Sequence, residues 1–183
     1  MNIQSTSISG VYLIERERYS DNRGSFSRIF CENELSDLLG PRSIVQANHS
    51  VNKHVGTIRG LHLQHGIHAE MKFVTCLRGA VWDVAVDLRP DSPSYLQWYG
   101  AMLQADKNLT LVVPEGCAHG FQVVAQNSEL VYLHTASYRP EAESGVRFDD
   151  PALNITWPQD VTEVSARDQN YPLIDTEFTG FRI

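Results

Sequence analysis

The sequence predicts an all-β protein, a β-sandwich or barrel of the jelly-roll kind with a few short helices, and three observations lead there. Between residues 44 and 138, short β-branched or aromatic runs recur, separated by Gly, Pro, Asp or Asn. Close turn signals leave little room for long crossovers between those runs. Only one segment, Glu32–Leu39, reads as a helix, and Gly40-Pro41 ends it. Many short strands with few helices fit a sandwich or closed barrel, whose mouth is a frequent ligand site.

In chain order, the expected strands are Gly10–Ile14, Gly24–Phe30, Ile44–Ser50, Thr57–Leu63, Glu70–Arg78, Gly79–Asp87, Tyr95–Leu103, Thr110–Pro114, Gly120–Ala125 and Glu129–Ser137. Arg78-Gly79 and Asn127-Ser128 read as tight hairpin corners. The stretch after Trp157 has too little periodicity to assign an element. No linker, repeat or low-complexity tract divides the chain, so a single domain over residues 1–183 is expected. Alternation sets the facing: Val81, Asp83, Ala85 and Asp87 share one side of their strand, and Trp82, Val84 and Val86 form a core side. Tyr132 and His134 share a face that Tyr138 would continue.

Composition excludes several classes. The 183 residues are 42% apolar and 20% charged, an ordinary globular balance with enough chain for a real core. No apolar run is long enough to span a bilayer, and Met1-Asn2-Ile3-Gln4 lacks the regions of a secretion signal. Net charge is −7 with no basic block, which argues against nucleic acid yet leaves room for a small anion in a locally positive pocket. Three widely spaced cysteines, Cys31, Cys76 and Cys117, argue against a disulfide framework and for the cytoplasm.

The chemistry concentrates around Arg59-Gly60-Leu61-His62, flanked by Gln46-Ala47-Asn48-His49-Ser50 and Lys72-Phe73-Val74. An arginine, a histidine, a lysine and side-chain amides can together hold an anion, move a proton and stabilise an oxyanion. Strict alternation would turn Arg59 away from His62, so a bulge at Gly60 is expected if both face inward.

Further segments carry a resemblance. They are Asp21-Asn22-Arg23-Gly24-Ser25-Phe26, Asp83-Val84-Ala85-Val86-Asp87-Leu88-Arg89, Ser92-Pro93, Pro114-Glu115-Gly116-Cys117-Ala118-His119-Gly120-Phe121, Tyr138-Arg139-Pro140, Asp149-Asp150-Pro151 and Ile155-Thr156-Trp157-Pro158. With the segments around His62 and with Tyr132, they make the chain resemble the dTDP-4-dehydrorhamnose 3,5-epimerase family over roughly residues 10 to 170. That resemblance implies a cupin-type jelly roll acting on a nucleotide-diphosphate 4-keto-6-deoxy sugar. A C4 ketone acidifies the C3 and C5 protons, so inversion needs a base, an enolate stabiliser and an acid on the far ring face, with no metal and no cofactor.

By resemblance, His62 is the base and Asp168 the carboxylate that orients it. A histidine's ordinary pKa of ~6.5 suits the task. Lys72 is the enolate stabiliser and Tyr132 the acid. Arg59, Gln46, Asn48 and His119 are expected to contact the diphosphate and sugar, Asp83 to order the polar network, and Tyr138 to wall the pocket. Tyr19, Arg23 and Phe26 match the base-binding edge, which the resemblance places on an N-terminal strand exchanged within a homodimer.

The chain departs from the family pattern at Arg28, where glutamate is usual, so a CDP- or GDP-linked substrate competes with a dTDP-linked one. Glu70-Met71 stands in place of an amide and a small residue before Lys72, and Arg167 in place of a lysine before Asp168. Three other readings stand beside the epimerase. A metal-dependent cupin would use His62, His65, His68, Glu70 and His119 as ligands. The others are a non-catalytic nucleotide-sugar-binding cupin and a ketoisomerase on a similar barrel.

Overall fold

The computed structural model describes residues Met1–Ile183. Fourteen strands form: β1 Asn2–Ser5, β2 Tyr12–Glu15, β3 Arg18–Asp21, β4 Gly24–Ser27, β5 Gln46–Asn52, β6 Thr57–Gln64, β7 Lys72–Arg78, β8 Ala80–Asp87, β9 Trp98–Gln104, β10 Leu109–Val113, β11 Cys117–Val123, β12 Ser128–His134, β13 Glu143–Gly145 and β14 Glu163–Val164. Two four-residue helices accompany them, α1 Ser36–Leu39 and α2 Ala166–Gln169. One sheet runs β1-β2-β10-β7-β12-β5, and the other runs β13-β6-β11-β8-β9 with β14 parallel to β6. The hairpin β3–β4 pairs with neither sheet.

Sequential strands often belong to opposite sheets, and this corrects the expected hairpins. Gly79 turns the chain from β7 in one sheet to β8 in the other, and the turn before Ser128 takes β11 across to β12. Both corners form with positive φ, 74° at Gly79 and 55° at Asn127, but they join sheets rather than adjacent strands. A Cβ on Gly79 would meet the Ser128 Oγ at 2.4 Å, so the two corners pack on one another. Several elements differ from the sequence expectation, among them the short extra strand β13 and, in the unassigned stretch, β14 and α2. β1 and β3 are additional strands, their exposed polar residues giving no alternation to read. The Glu32–Leu39 helix is regular only from Ser36, because no side chain caps its start.

The main core lies between the sheets, built from Val74, Val81, Ala85, Leu103, Leu111, Phe121, Val123 and Leu130 among others. Val84 and Val86 face the other way, onto a second cluster with Leu61, Leu63 and Ala118. The unassigned C-terminal stretch covers it through Trp157, Ile174, Phe178 and Phe181. Strand β8 is therefore buried on both faces. Inward faces change character along their length. On β7 the inward row is Cys76, Val74, Lys72, and on β12 it is Leu130, Tyr132, His134. Where the row turns polar, the space between the sheets opens as a pocket of about 800 Å³.

Candidate active site

The pocket is assembled from β5, β6, β7, β11, β12 and the segment around α2. Arg59 and His62 both line it, as the expected bulge requires. The β6–β11 register shifts between His119 and Phe121, opposite Gly60, which has φ 115° and is followed by a cis peptide bond to Leu61. Only glycine fits there, since a Cβ would lie 2.6 Å from the Gly120 Cα and the His119 carbonyl.

The bulge also frees a backbone donor. The Gly60 N–H donates to Asp168 Oδ2 at 3.1 Å, while Asp168 Oδ1 accepts from His62 Nε2 at 2.7 Å. Ser165 caps α2 by accepting the Asp168 N–H at 3.1 Å, which fixes the carboxylate to its helix. Burial opposes ionisation of Asp168, but the His62 bond, the Gly60 amide and Ser165 outweigh it and bring its pKa down to about 2. With Nε2 committed to Asp168, Nδ1 is the His62 nitrogen left to accept a proton. The Arg167 guanidinium lies against the ring, 3.1 Å from Nε2 and 3.5 Å from Nδ1, and donates to Glu143 at 2.7 Å.

Across the register from His62 stands His119, whose Nε2 donates to Asp83 Oδ1 at 2.9 Å. Asp83 is fully buried and its Oδ2 has no partner, so burial pushes its pKa up against the opposing pull of His119. Lys72 donates to the His62 carbonyl at 3.1 Å and lies 3.3 Å from Glu70. Tyr132 pairs with the Ser50 hydroxyl at 3.0 Å, and burial drives its pKa upward, keeping the phenol protonated. Arg59 is oriented by its Nε–H on Asn52 at 2.8 Å, which leaves the end of its fork toward the pocket. The arrangement puts three histidine–carboxylate pairs, His62–Asp168, His119–Asp83 and His134–Glu70, with a lysine, a protonated phenol and an arginine around one cavity.

The family model for dTDP-4-dehydrorhamnose 3,5-epimerase matches residues 5–176. The chain belongs to that family. An enzyme of that name from Sinorhizobium fredii is 41% identical over 94% of this chain and 89% of its own length. The one from Escherichia coli is 42% identical over 87% of this chain and 86% of its own. The crystal structure of the Legionella pneumophila dTDP-6-deoxy-D-glucose-3,5-epimerase superposes with a TM-score of 0.91 at 36% identity, covering 100% of this chain and 98% of that one. The protein is accordingly an isomerase with the cupin-type jelly roll of that family.

Against this pocket, the sequence-derived candidates divide in two. His62, Asp168, Lys72, Tyr132, Arg59, Gln46, Asn48, His119 and Tyr138 all line the pocket. Tyr138 does so from beyond the end of β12, half-exposed at the rim, with its hydroxyl donating to Glu143 at 2.8 Å. Asp83 stands behind His119 rather than on the wall. Tyr19, Arg23 and Phe26 are not at this pocket. They line a separate shallow hollow on the β3–β4 hairpin, where Arg23 pairs with Asp21 at 2.6 Å. Arg28 also stands away from the pocket, paired with Glu34, which holds the N-terminal ammonium as well at 2.8 Å. Strand β1 pairs with β2 within the chain.

The candidate metal ligands His62, His65, His68, Glu70 and His119 do not assemble into one site. His62 and Glu70 are bound to different partners, and His65 stacks on Phe181 at 5.7 Å. No group of three or more His, Cys, Asp or Glu converges. Sequence reasoning missed His134, Ser50, Asn52 and Glu143 as pocket residues. For His134 the signal was its shared face with Tyr132. Glu143 and the β5 alternation partners of Asn48 needed the fold's pairing.

Proposed function

We propose that the protein inverts C3, C5 or both of a nucleotide-linked 4-keto-6-deoxy sugar without metal or redox cofactor. His62 Nδ1 takes the proton next to the ketone, and the C–H electron pair moves into an enolate whose oxygen Lys72 stabilises. Tyr132 then gives its phenolic proton to the opposite face of the carbon and is reprotonated from solvent, to which the His62 imidazolium releases the proton it took. Asp168 supports the imidazolium that forms. The observation that carries this reading is the buried Asp168 at 2.7 Å from His62 Nε2, in the same pocket as Lys72 and the protonated Tyr132. The Legionella relative was crystallised in complex with dTDP-4-keto-L-rhamnose, which favours the same substrate class here.

Arg59 is the diphosphate anchor, with Gln46, Asn48 and His119 on the sugar. The working form is a homodimer, and the hairpin β3–β4 supplies Tyr19, Arg23 and Phe26 to the partner's nucleotide. Two observations support this: Tyr19 and Phe26 are 63% and 69% exposed, and β5, which lines the pocket, is an unpaired sheet edge. Arg28 sits at the foot of that hairpin with its charge taken by Glu34, and it contributes to nucleotide choice there. The chain works as one domain in the cytoplasm, in keeping with three unpaired cysteines and no helix long and apolar enough to cross a membrane.

Isotope exchange tests the reading. In deuterated water with dTDP-, CDP- or GDP-linked 4-keto-6-deoxy sugars, deuterium should enter C3, C5 or both. His62→Ala should abolish the exchange. Absence of exchange with all three sugars overturns the proposal, and the sugar that exchanges fastest identifies the nucleotide.

A further inference from the structure

Two buried residues of the pocket wall, Glu70 and His134, have no part in the steps above, yet they join Lys72, Asn48 and Gln46 in one polar chain. Glu70, Lys72 and His134 are each only 7–8% exposed, yet all three line the pocket. His134 and Lys72 are register partners on β12 and β7, and Glu70 lies just ahead of β7. His134 Nδ1 is 2.8 Å from Glu70 Oε2, and Lys72 Nζ is 3.3 Å from Glu70 Oε1. The Asn48 amide nitrogen is 3.2 Å from His134 Nε2, and Asn48 Oδ1 accepts from Gln46 at 3.3 Å.

Only one assignment satisfies all these atoms. Asn48 Nδ2 is a donor, so His134 Nε2 accepts, and the ring proton sits on Nδ1 facing the carboxylate. Burial opposes ionisation of Glu70, but the His134 bond and the Lys72 charge hold its pKa below the usual carboxylate range. Every donor runs one way, from Gln46 through Asn48 and His134 to Glu70, which Lys72 meets from the other side. Tyr132 stacks on the His134 ring at 6.2 Å and closes the chain off above. Other charged groups near this corner are already engaged: His62 by Asp168, His119 by Asp83 and Arg59 by Asn52.

We propose that His134 and Glu70 are positioning residues for Lys72, with His134 occupying one Glu70 oxygen so that the carboxylate anchors the ammonium through the other alone. Lys72 then keeps an N–H directed at the developing enolate oxygen. Without His134, a buried carboxylate with a vacant oxygen turns both oxygens onto Lys72 and draws the ammonium out of line. The proposal rests on Lys72 as the enolate stabiliser.

A double-mutant cycle tests it, read as kcat and KM for the nucleotide sugar that the native protein exchanges fastest. H134N should lower kcat about 10- to 100-fold with KM changed little. In the E70Q background the same change should cost under about 3-fold, because no vacant carboxylate oxygen remains. A packing role would make H134N cost as much in the E70Q background as in the native one, and that result overturns the proposal, as does a loss seen only in KM. Imidazole nitrogen NMR on the resting protein reads the same coupling if H134N folds poorly. His134 should carry its proton on Nδ1, and the opposite tautomer overturns the assignment. A native protein that exchanges no sugar defeats the functional reading, while the NMR result still decides the hydrogen-bond chain.

Discussion

Asp83 and Asp87 stand four residues apart on the same side of β8, and both are fully buried. Their surroundings differ. Asp87 accepts five hydrogen bonds, from the Arg89 backbone and guanidinium and from the Ser92 and Ser94 hydroxyls, at 2.5–3.1 Å. Burial opposes its charge, but the Arg89 and serine donors win and hold its pKa at about 2. Asp83 has one donor, His119, and an orphan oxygen, and its pKa is pushed up by burial. The Asp87 cluster is saturated and ties the loop after β8 to the body, since Arg89 also donates to the Ser9 carbonyl at 2.7 Å. Asp83 is left under-satisfied, and its only partner is a pocket histidine. A saturated carboxylate holds structure, whereas an unsaturated one leaves its partner's proton affinity adjustable.

Asp168 tests how far that contrast extends. It too is lowered to about 2, yet one of its donors is the proposed base. Its role is set by the pocket face of that donor rather than by how many donors it has. D168N should therefore give the largest effect on turnover, about 10³- to 10⁴-fold in kcat, because the amide no longer fixes the His62 tautomer or supports the imidazolium. Steady-state kinetics at matched substrate saturation checks it. A loss under 10-fold would place Asp168 with Asp87 as a purely structural carboxylate.

The two β8 carboxylates should separate next. D87N breaks a buried ion pair with Arg89 and strands several donors, a loss of about 3–5 kcal/mol, or a melting temperature lower by roughly 6–20 °C. Its kcat per folded molecule should stay within about 2-fold of native. D83N removes a charge that is poorly served where it lies, so stability should change by no more than about 1 kcal/mol while kcat falls about 10-fold or more. Thermal melts and kinetics on the pair check both. If D83N also melts early with intact turnover, the division between the two positions fails.

Much of this was legible in the sequence, and what was not has a common cause. The β-rich class could be read because alternation and turn residues are local. The Gly60 bulge could be inferred because Arg59 and His62 could not otherwise face one pocket. The two corners at Gly79 and Asn127 were correct as turns but wrong as hairpins, since nothing local says which sheet the next strand joins. The same holds at the site. The resemblance located His62, Lys72, Tyr132 and Asp168, but Glu70 reached His134 only through the pairing of β12 with β7. Tyr19, Arg23 and Phe26 matched a motif whose proposed place is on a second subunit, and the chain leaves them outside its own pocket.

Acid titration sharpens the contrast on β8 with the smallest expected effect. Asp87 has a folded-state pKa below its unfolded value of ~3.9, so its contribution is complete above that pH and is lost as pH falls toward about 2. The size is about 2 kcal/mol. Asp83 has the opposite sign: its pKa is raised, so folding is favoured where it is protonated, and stability is given up as pH rises from the unfolded value through the folded one. Native protein should therefore lose stability between about pH 4 and 2 as Asp87 and Asp168 protonate, whereas Asp83 acts mainly above about pH 4, where it favours folding as pH falls. Denaturant unfolding should show a shallower acid loss below about pH 4 in D87N, and in D83N the disappearance of the stability that native protein gains as pH falls toward about 4. Parallel acid slopes in the two variants would mean that the two buried carboxylates share one electrostatic environment, and the difference in their hydrogen bonding would then carry no thermodynamic weight.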